Sequence, residues 1–582
     1  MEVTQENFTT LLPEITKAIE NCTFLSIDCE LTGLKTALNQ VNSFDTPEQY
    51  YSKVLKDCKE FLTIQYGITV FRFDEAKDAF RHKSFNFYIF RRPLNKNLPD
   101  QRFLCQTSSI DFLINHNFDF NKLFKMGISY LNENEEETYR SILEEQQKKS
   151  VDFIRSQQSG NCDNIIPVPD EHEAFIEDIV TQLNTFLEND DSEFQLPKCN
   201  AFLRKLIYQT NSQRFADKIQ LETREVDKER RMFATKQKSE HDKIELEQKK
   251  YESLVEQLEN YVGFSKVVRI IVKSGKLVVG HNMLLDFLHT IDKFLTPLPN
   301  DYLEFKECAN SLFTNVLDTK YISSSEPFKD KVTSTILGQL LETVQKQPFE
   351  LPKFECEQDG QSYHLNDTRD HEAGYDSFIT GLIFSALWKY LGTQHSLSNN
   401  DIFSSTGIRL LKPYMNKIFL MMLTDGQYLH LAGEDLNPSR EHVFYLTFPK
   451  EWTTSNIVQL FSPFGSVHIS WLTDNSAYVG LYKREQAGVA FKTLSQSSVY
   501  TIIPYARRQA LLAGKPPILP SPIKRRKSSD LPSLKRRKTN SLDSNSSHSK
   551  RSIDRINEEE QAECEEESDS NSKTFAECDT WD

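Results

Sequence analysis

The chain has 582 residues, of which 38% are hydrophobic, and a formal net charge of −15 at pH 7. This length and apolar content predict a mostly globular protein of two to four domains, at roughly 100–200 residues each. The acidic balance argues against general attraction to nucleic acid, so binding of a polyanion would need a local basic or metal-charged site.

The remaining composition indicates a soluble intracellular protein. Residues 1–20 are polar and acidic, unlike a signal sequence, and no apolar stretch is long enough for a membrane helix. The ten cysteines are scattered without a CxxC pair, which argues against a zinc site and against a disulfide framework. We therefore expect reduced thiols in the cytosol or nucleus.

Residues 1–145 are predicted to form the first half of an α/β domain. Apolar runs with turn residues between them predict strands, and longer mixed segments predict helices. The predicted strands are 24–31, 64–73 and 84–92, and the predicted helices are 46–62 and 108–127. Residues 146–170 are polar and rich in turn formers, which predicts a linker.

The second half of this domain is expected after an insertion. Residues 171–212 predict a compact unit of two helices, and the charge-dense residues 217–260 predict a solvated or extended helix rather than a binding surface. Beyond them come a predicted strand at 276–282 and predicted helices at 263–275, 283–295, 334–345 and 370–392. Both halves are predicted to build one sheet, with residues 171–260 inserted between them.

Residues 440–505 have the order β-α-β-β-α-β, which is typical of an RNA-recognition-motif domain. Such domains stack bases on aromatic side chains of the sheet, and Phe444 and Tyr478 lie on the two strands expected to carry them. Beyond about residue 510 the chain is rich in Ser, Pro, Lys and Arg and then in Glu, so this tail is predicted to be disordered.

Three segments carry acids that are expected inside the fold. Asp28 and Glu30 lie two apart in the apolar strand "FLSIDCEL", so both carboxylates point to one face. Asp286 lies in the first turn of the helix after "KLVVGHN", and His371 and Asp376 lie at the start of an apolar helix. Buried carboxylates are rare unless they are paired or bind metal.

The order Asp-x-Glu, Asp, His-x4-Asp resembles the DEDD superfamily of 3′→5′ exonucleases, in the subtype with a catalytic histidine. This resemblance implies a ribonuclease H-like nuclease domain with a mixed central sheet and two bound Mg²⁺ ions, with Mn²⁺ as the other candidate. Asp28, Glu30, Asp286 and Asp376 are then the catalytic metal ligands, and His371 is the residue that takes a proton from the attacking water.

Segments such as "SFNFYIF", "SSIDFL", "HEAGYDSFITGL" and "FSPFGSVHISW" resemble the deadenylases of that superfamily, over residues 1 to about 505. The resemblance implies shortening of poly(A) tails of mRNA with release of 5′-AMP, and a homodimer. It also implies nucleotide contacts by Asn282, Lys329, Ile110 and Phe112.

The domain division implied by the resemblance follows the composition. The nuclease halves are 1–165 and 246–425, an inserted small α+β Arg-xxx-His-type nucleic-acid-binding domain is 166–245, the ferredoxin-like RNA-recognition-motif domain is 438–508, and the tail is 509–582. The inserted domain has Arg204 but Tyr208 where the motif has His, which leaves its contact with RNA open. Cys29 and Leu31 replace the Gly and Phe that are more frequent in the family.

The resemblance also implies binding of the 7-methylguanosine cap by the RNA-recognition-motif domain. Trp471 is the matching tryptophan, and its indole suits stacking on a positively charged methylated guanine. Trp452 is a second candidate contact.

The tail contains two basic clusters that predict nuclear import, and with it a location in both nucleus and cytoplasm. The clusters consist of Lys524, Arg525, Arg526 and Lys527, and of Lys535, Arg536, Arg537 and Lys538. An acidic block follows them, and no apolar segment follows, which argues against the membrane-anchored relatives that trim small RNAs.

Two alternative functions remain at this point. The same chemistry would trim oligoadenylated 3′ ends of non-coding RNA, and sequence does not separate this from deadenylation of mRNA. A non-catalytic RNA- or cap-binding protein is the second alternative. Its expected signature is loss of one acid or of the histidine, and all five residues are present.

Overall fold

The computed structural model describes residues 1–35, 40–92, 102–156, 167–189, 191–215, 218–226, 229–236, 240–357, 363–512 and 514. They divide into two units. The first is Met1–Ser439 with Ser470–Leu472, and the second is the remainder from Arg440 onward.

The first half of the first unit confirms the predicted strands and the first predicted helix. Its elements are β1 (Glu2–Val3), α1 (Phe8–Asn21), β2 (Phe24–Leu31), α2 (Pro47–Glu60), β3 (Thr63–Asp74), β4 (Ala79–Tyr88), α3 (Thr107–Asn115), α4 (Phe120–Met126) and α5 (Glu133–Ser156).

Two predictions for this half are wrong. The segment 108–127 forms two helices, because Asn117 has φ of +62° and the Asp119 side chain accepts a hydrogen bond from the Lys122 N–H at the start of α4. The polar residues 146–156 belong to α5 and not to a linker.

The inserted segment contains a three-stranded sheet, in agreement with the implied α+β domain, although the charge pattern alone predicted a helix there. Its elements are α6 (Asp170–Glu188), β5 (Glu193–Gln195), α7 (Ala201–Arg214), β6 (Ile219–Val226) and β7 (Glu229–Lys236). The three strands pair antiparallel in the order β5-β7-β6. The predicted helix over 217–260 is therefore wrong for 219–236, where Ile219, Met232 and Ala234 face a small core against α6 and α7.

The second half of the first unit begins with a long helix that packs on α5. Arg140 of α5 pairs with Glu259 of this helix at 2.9 Å. The predicted helices and strand of this half are confirmed. The elements are α8 (Glu240–Val262), α9 (Ser265–Ser274), β8 (Leu277–Gly280), α10 (Leu284–Phe294), α11 (Tyr302–Leu312), β9 (Val316–Asp318), α12 (Thr319–Ser323), α13 (Leu337–Val344), β10 (Lys353–Cys356), α14 (Ala373–Gln394), α15 (Asn399–Ile402), β11 (Lys417–Phe419) and β12 (Tyr428–His430).

A seven-stranded mixed sheet joins the two halves, as predicted. Its order is β1-β4-β3-β2-β8-β9, and β10 also pairs with β4. The central strand β2 runs antiparallel to β3 and parallel to β8. The apolar helix α14 packs on one face of this sheet and is buried from Ala373 to Gly392, and the Ser26 hydroxyl of β2 donates to the Ser377 carbonyl at 2.5 Å. The two halves therefore share one sheet and both hydrophobic clusters that pack against it.

From Arg440 onward the chain has the predicted β-α-β-β-α-β order, followed by an unpredicted helix. The elements there are β13 (Val443–Thr447), α16 (Thr454–Phe461), β14 (Val467–Thr473), β15 (Ser476–Leu481), α17 (Ala487–Leu494), β16 (Thr501–Pro504) and α18 (Tyr505–Leu512). The sheet order is β14-β15-β13-β16. In the part of the chain that the structure describes, no helix is both long and apolar enough to cross a membrane.

Candidate active site

Three carboxylates meet where β2 passes the first turn of α14. One carboxylate oxygen from each of Asp28, Glu30 and Asp376 lies within 4.8 Å of the others. The approach depends on Gly67, which pairs with Asp28 across β2 and β3, because a Cβ there would lie 1.8 Å from the Ala373 carbonyl oxygen. A residue without a side chain therefore lets the helix bring Asp376 to the strand.

The fourth acid, Asp286, approaches from α10. It lies in the first turn of that helix, and among the neighbouring acids its charge raises the pKa of Asp28 most, after burial itself. Burial raises the pKa of Asp286 to about 7, while the Cys29 thiol and two backbone N–H groups donate to its carboxylate and oppose that rise. Asp286 thus borders the carboxylate triple without being one of its three members.

The electrostatics of this cluster are dominated by closely spaced, buried carboxylates. Burial first, and the neighbouring acids second, hold the pKa values of Asp28 and Glu30 well above their usual range. Removing the charge repulsion takes either protons or cations. Closely spaced, oxygen-only donors are the ligand set that Mg²⁺ and Mn²⁺ prefer, so the residues present fit a divalent metal centre.

His371 lies beside the acids, just ahead of α14 rather than within it. Its backbone has φ of +67°, in the left-handed region that few residues other than glycine adopt. Its N–H donates to Asp376 Oδ2 at 3.1 Å. Its ring contacts Phe112 and His116, with ring centroids 4.6 Å and 4.3 Å away. Sequence reasoning missed His116, although its i+4 spacing from Phe112 on α3 was visible.

Asn282 occupies the loop between β8 and α10 with φ of +54°. Its N–H donates to Asp318 Oδ1 at 3.0 Å, and its side-chain amide donates to the exposed Met421 sulfur at 3.8 Å. Asp318, which the sequence reading also missed, is completely buried at the end of β9. It accepts further hydrogen bonds from the backbone N–H groups of Met283, Lys320 and Phe419.

The other predicted nucleotide contacts lie on two different elements. Ile110 and Phe112 are half-buried on α3, whose start is tied to the end of β2 by the Gln106 N–H and the Thr32 carbonyl, 2.8 Å apart. Lys329 lies in an exposed loop, and its ion pair with Glu326 at 2.6 Å stays within that loop. In the structure α3 therefore contacts His371, whereas the ion pair of Lys329 lies within its own loop.

Cys29 and Leu31, which depart from the family pattern, differ in their surroundings. Cys29 is half-buried and donates to Asp286, whereas Leu31 is only 3% exposed and packs in the protein interior. Of these two residues, Cys29 therefore borders the acidic cluster.

In the second unit, the expectation for Phe444 as a base-stacking residue is wrong. Phe444 is 1% exposed and stacks on Phe491, on the core side of the sheet. Tyr478 lies under α18, where its ring contacts Tyr505 at 5.4 Å and its hydroxyl accepts from Gln509 at 3.2 Å. The helix α18 thus occupies the place that a base would take on this ring.

The remaining predicted residues are placed as follows. Trp471 lies on β14 and is 36% exposed, and Trp452 stacks on Phe448 at 5.8 Å. In the inserted segment, Arg204 donates to the Cys199 carbonyl and Tyr208 is 39% exposed. The basic-cluster residues lie outside the described residues: Lys524, Arg525, Arg526, Lys527, Lys535, Arg536, Arg537 and Lys538.

Two family descriptions match the chain. A CAF1 family ribonuclease domain covers residues 3–384, and an RNA binding domain covers residues 433–511. The nuclease match therefore spans both halves of the large sheet and includes all four acids and His371.

Three curated proteins show the range of similarity. Poly(A)-specific ribonuclease PARN of Xenopus laevis is 42% identical over 514 residues, covering 87% of this chain and 81% of that protein. The Homo sapiens protein of the same name is 40% identical over 515 residues, covering 87% and 80%. The pre-piRNA 3′-exonuclease trimmer of Bombyx mori is 26% identical over 540 residues, covering 88% and 95%. The chain belongs to the CAF1 family of ribonucleases and, within it, to the poly(A)-specific ribonuclease PARN family.

Proposed function

We propose that this chain is a poly(A)-specific 3′→5′ exoribonuclease, which hydrolyses the last phosphodiester bond of a 3′ poly(A) tail and releases 5′-AMP. The observation that carries the proposal is the meeting of Asp28, Glu30 and Asp376 within 4.8 Å, with Asp286 and His371 beside them. The names of the PARN relatives support poly(A) as the substrate.

In the proposed mechanism, Asp28, Glu30, Asp286 and Asp376 would hold two divalent ions, Mg²⁺ or Mn²⁺, which would supply an activated water and shield the phosphate charge. The four carboxylates would thereby place the positive charge of the ions beside β2. His371 accepts the proton of the attacking water, and Asp376 holds the backbone from which His371 projects.

The proposed nucleotide contacts use both polar and apolar groups. Asn282 reads an adenine or ribose edge from its loop, while Ile110 and Phe112 pack on bases from α3. Lys329 neutralises a phosphate farther along the strand, for which its exposed ammonium is suited.

Cap recognition is proposed for Trp471 on β14, whose side chain is 36% exposed and would stack on a methylated guanine. Trp452 is the candidate second contact. A homodimer, and a location in both nucleus and cytoplasm directed by the two basic clusters, complete the proposal.

The test is a gel assay on 5′-labelled RNA that ends in about twenty adenosines. Wild type with Mg²⁺ is expected to give a one-nucleotide ladder that stops near the tail junction. EDTA or Asp28→Asn should abolish the ladder, whereas Asp191→Asn, which changes an exposed acid of the inserted segment, should not. A uridine tail should be degraded far more slowly. No ladder from wild type with Mg²⁺ would overturn the proposed function.

A further inference from the structure

The His371 ring stands against two other aromatic rings, and one of these, His116, has no part in the function proposed above. The His116 and His371 centroids are 4.3 Å apart with their planes at 72°, and those of Phe112 and His371 are 4.6 Å apart at 73°. Phe112 and His116 are themselves 4.3 Å apart and tilted by 39°. His371 is therefore nearly perpendicular to both neighbours, an arrangement that aromatic pairs favour.

His116 is held in place although it is exposed. It directly follows α3, and its ring Nδ1 shares a hydrogen bond with the Phe112 carbonyl at 2.8 Å. Its backbone N–H reaches the same carbonyl at 3.2 Å. Two contacts with one carbonyl thus fix both the backbone and the ring of His116 at the end of the helix.

The backbone contacts of His371 leave the direction of its ring to be set by other groups. Its N–H is bound by Asp376, and φ of +67° fixes the chain direction ahead of α14. A side chain still rotates about its own bonds, so neighbouring rings decide which rotamer is favoured. Phe112 and His116 are two rings that contact His371.

We infer that His116 is a positioning residue that, together with Phe112, holds the His371 imidazole in the orientation needed to take a proton from the attacking water. The inference rests on the proposed function, in which His371 is the base. A base has to lie within hydrogen-bond distance of the proton it removes, and a displacement of about 1 Å costs up to about 100-fold in rate. His116 acts through its ring and carries no proton in the reaction.

The test measures kcat and KM on an oligoadenylate with His116→Ala, His116→Phe and Ile114→Ala. His116→Ala is expected to lower kcat about tenfold and to change KM by less than about twofold, because a ring contact is lost and substrate contacts are kept. His116→Phe keeps a ring and is expected to retain kcat within about threefold. Ile114, which is 55% exposed on the same helix, provides the control, and its variant should match wild type.

If the wild type is active, three results would overturn the inference. They are an unchanged kcat in His116→Ala, a rise in KM alone in His116→Ala, and a His116→Phe variant as slow as His116→Ala. The rise in melting temperature on adding Mg²⁺ should be the same in His116→Ala and wild type, which separates a displaced base from a lost metal site. An inactive wild type would instead overturn the proposed function itself, and this inference with it.

Discussion

The backbone N–H of His371 donates a hydrogen bond to Asp376 Oδ2, 3.1 Å away. The Asp376 carboxylate therefore adds negative charge to the acidic cluster and also holds the His371 loop by a hydrogen bond. Two variants of Asp376 distinguish these roles. Asp376→Asn keeps an acceptor oxygen for the loop but loses the charge, and Asp376→Ala loses both.

Both Asp376 variants are expected to lose more than about 100-fold in kcat, since loss of an outer partner of a metal ligand alone costs about 10–100-fold. In EDTA they should differ. Asp376→Asn should be at least as thermally stable as wild type, because it removes repulsion among buried acids, whereas Asp376→Ala should be less stable than Asp376→Asn. Thermal denaturation measures the difference, and equal melting temperatures would contradict the loop role.

The raised pKa of Asp286 makes the stability of the metal-free protein depend on pH. Its value in the folded state is about 7, against 3.8 ordinarily, so between these values the folded state binds more protons than the unfolded state. This acid therefore contributes stability at low pH that is lost as the pH rises through about 7. In EDTA, the stability advantage of Asp286→Asn over wild type should be larger at about pH 8 than at about pH 5, and thermal melts at both values check it. An advantage that shrinks with pH would contradict the assignment.

Cys29 is expected to tune metal binding. Its thiol donates to the Asp286 carboxylate and so opposes the burial that raises the pKa of that acid. Cys29→Ala should raise the pKa further and increase the Mg²⁺ concentration for half-maximal activity by about two- to fivefold near pH 6.5, with a smaller effect near pH 8.5. The exposed Cys105 offers the matched control, since Cys105→Ala should leave the Mg²⁺ titration unchanged. An equal effect at both pH values would argue against the thiol hydrogen bond.

Asp318 is expected to set the position of Asn282. It accepts the backbone N–H groups of Asn282 and Met283, and a buried N–H left without a partner costs about 1–3 kcal/mol. Asp318→Ala should lower the free energy of unfolding by several kcal/mol, since several N–H groups lose their partner at about 1–3 kcal/mol each, and it should raise KM for oligoadenylate. Denaturant unfolding and steady-state kinetics measure these effects. Destabilisation with an unchanged KM would mean that the loop does not depend on this acid.

Tyr478 should matter for stability and not for RNA binding, because α18 covers its ring. Tyr478→Phe loses the hydrogen bond with Gln509, worth about 0.5–1.5 kcal/mol, and Tyr478→Ala also loses ring packing, in total about 3–5 kcal/mol. Neither variant should weaken binding of an oligoadenylate in a fluorescence titration. Weaker binding by folded Tyr478→Phe or Tyr478→Ala would indicate that α18 moves off the sheet.

The sequence was enough to identify the four acids, because each lies at a recognisable position in an apolar strand or helix. Asp28 and Glu30 share one strand, and Asp286 and Asp376 fall in first helical turns, so local periodicity placed all four before the sheet was known. Their meeting also needed the β2–β8 pairing, which resemblance and not periodicity supplied.

The missed features depend on contacts between distant segments. Asp318 accepts from five backbone N–H groups, of which only those of Lys320 and Tyr321 follow it directly in the chain; the other three belong to Asn282, Met283 and Phe419. The strands β6 and β7 are so rich in charged residues that only a few buried side chains indicate a sheet. The helix α18 follows β16 directly, so no turn residue marks where it begins. In each case tertiary packing outweighed the local preference.

The hydrogen bond between Ser26 and Ser377 joins two residues that are 351 positions apart. A ribosome adds about 5–20 residues each second, so β2 waits roughly 20–70 seconds for the helix that covers it. During that interval the inserted segment can fold by itself around its own small core, because its strands and helices are contiguous in the chain. The acidic cluster is therefore assembled late in synthesis, and a nascent chain holds Asp28 and Glu30 long before it gains the partners needed to act on RNA.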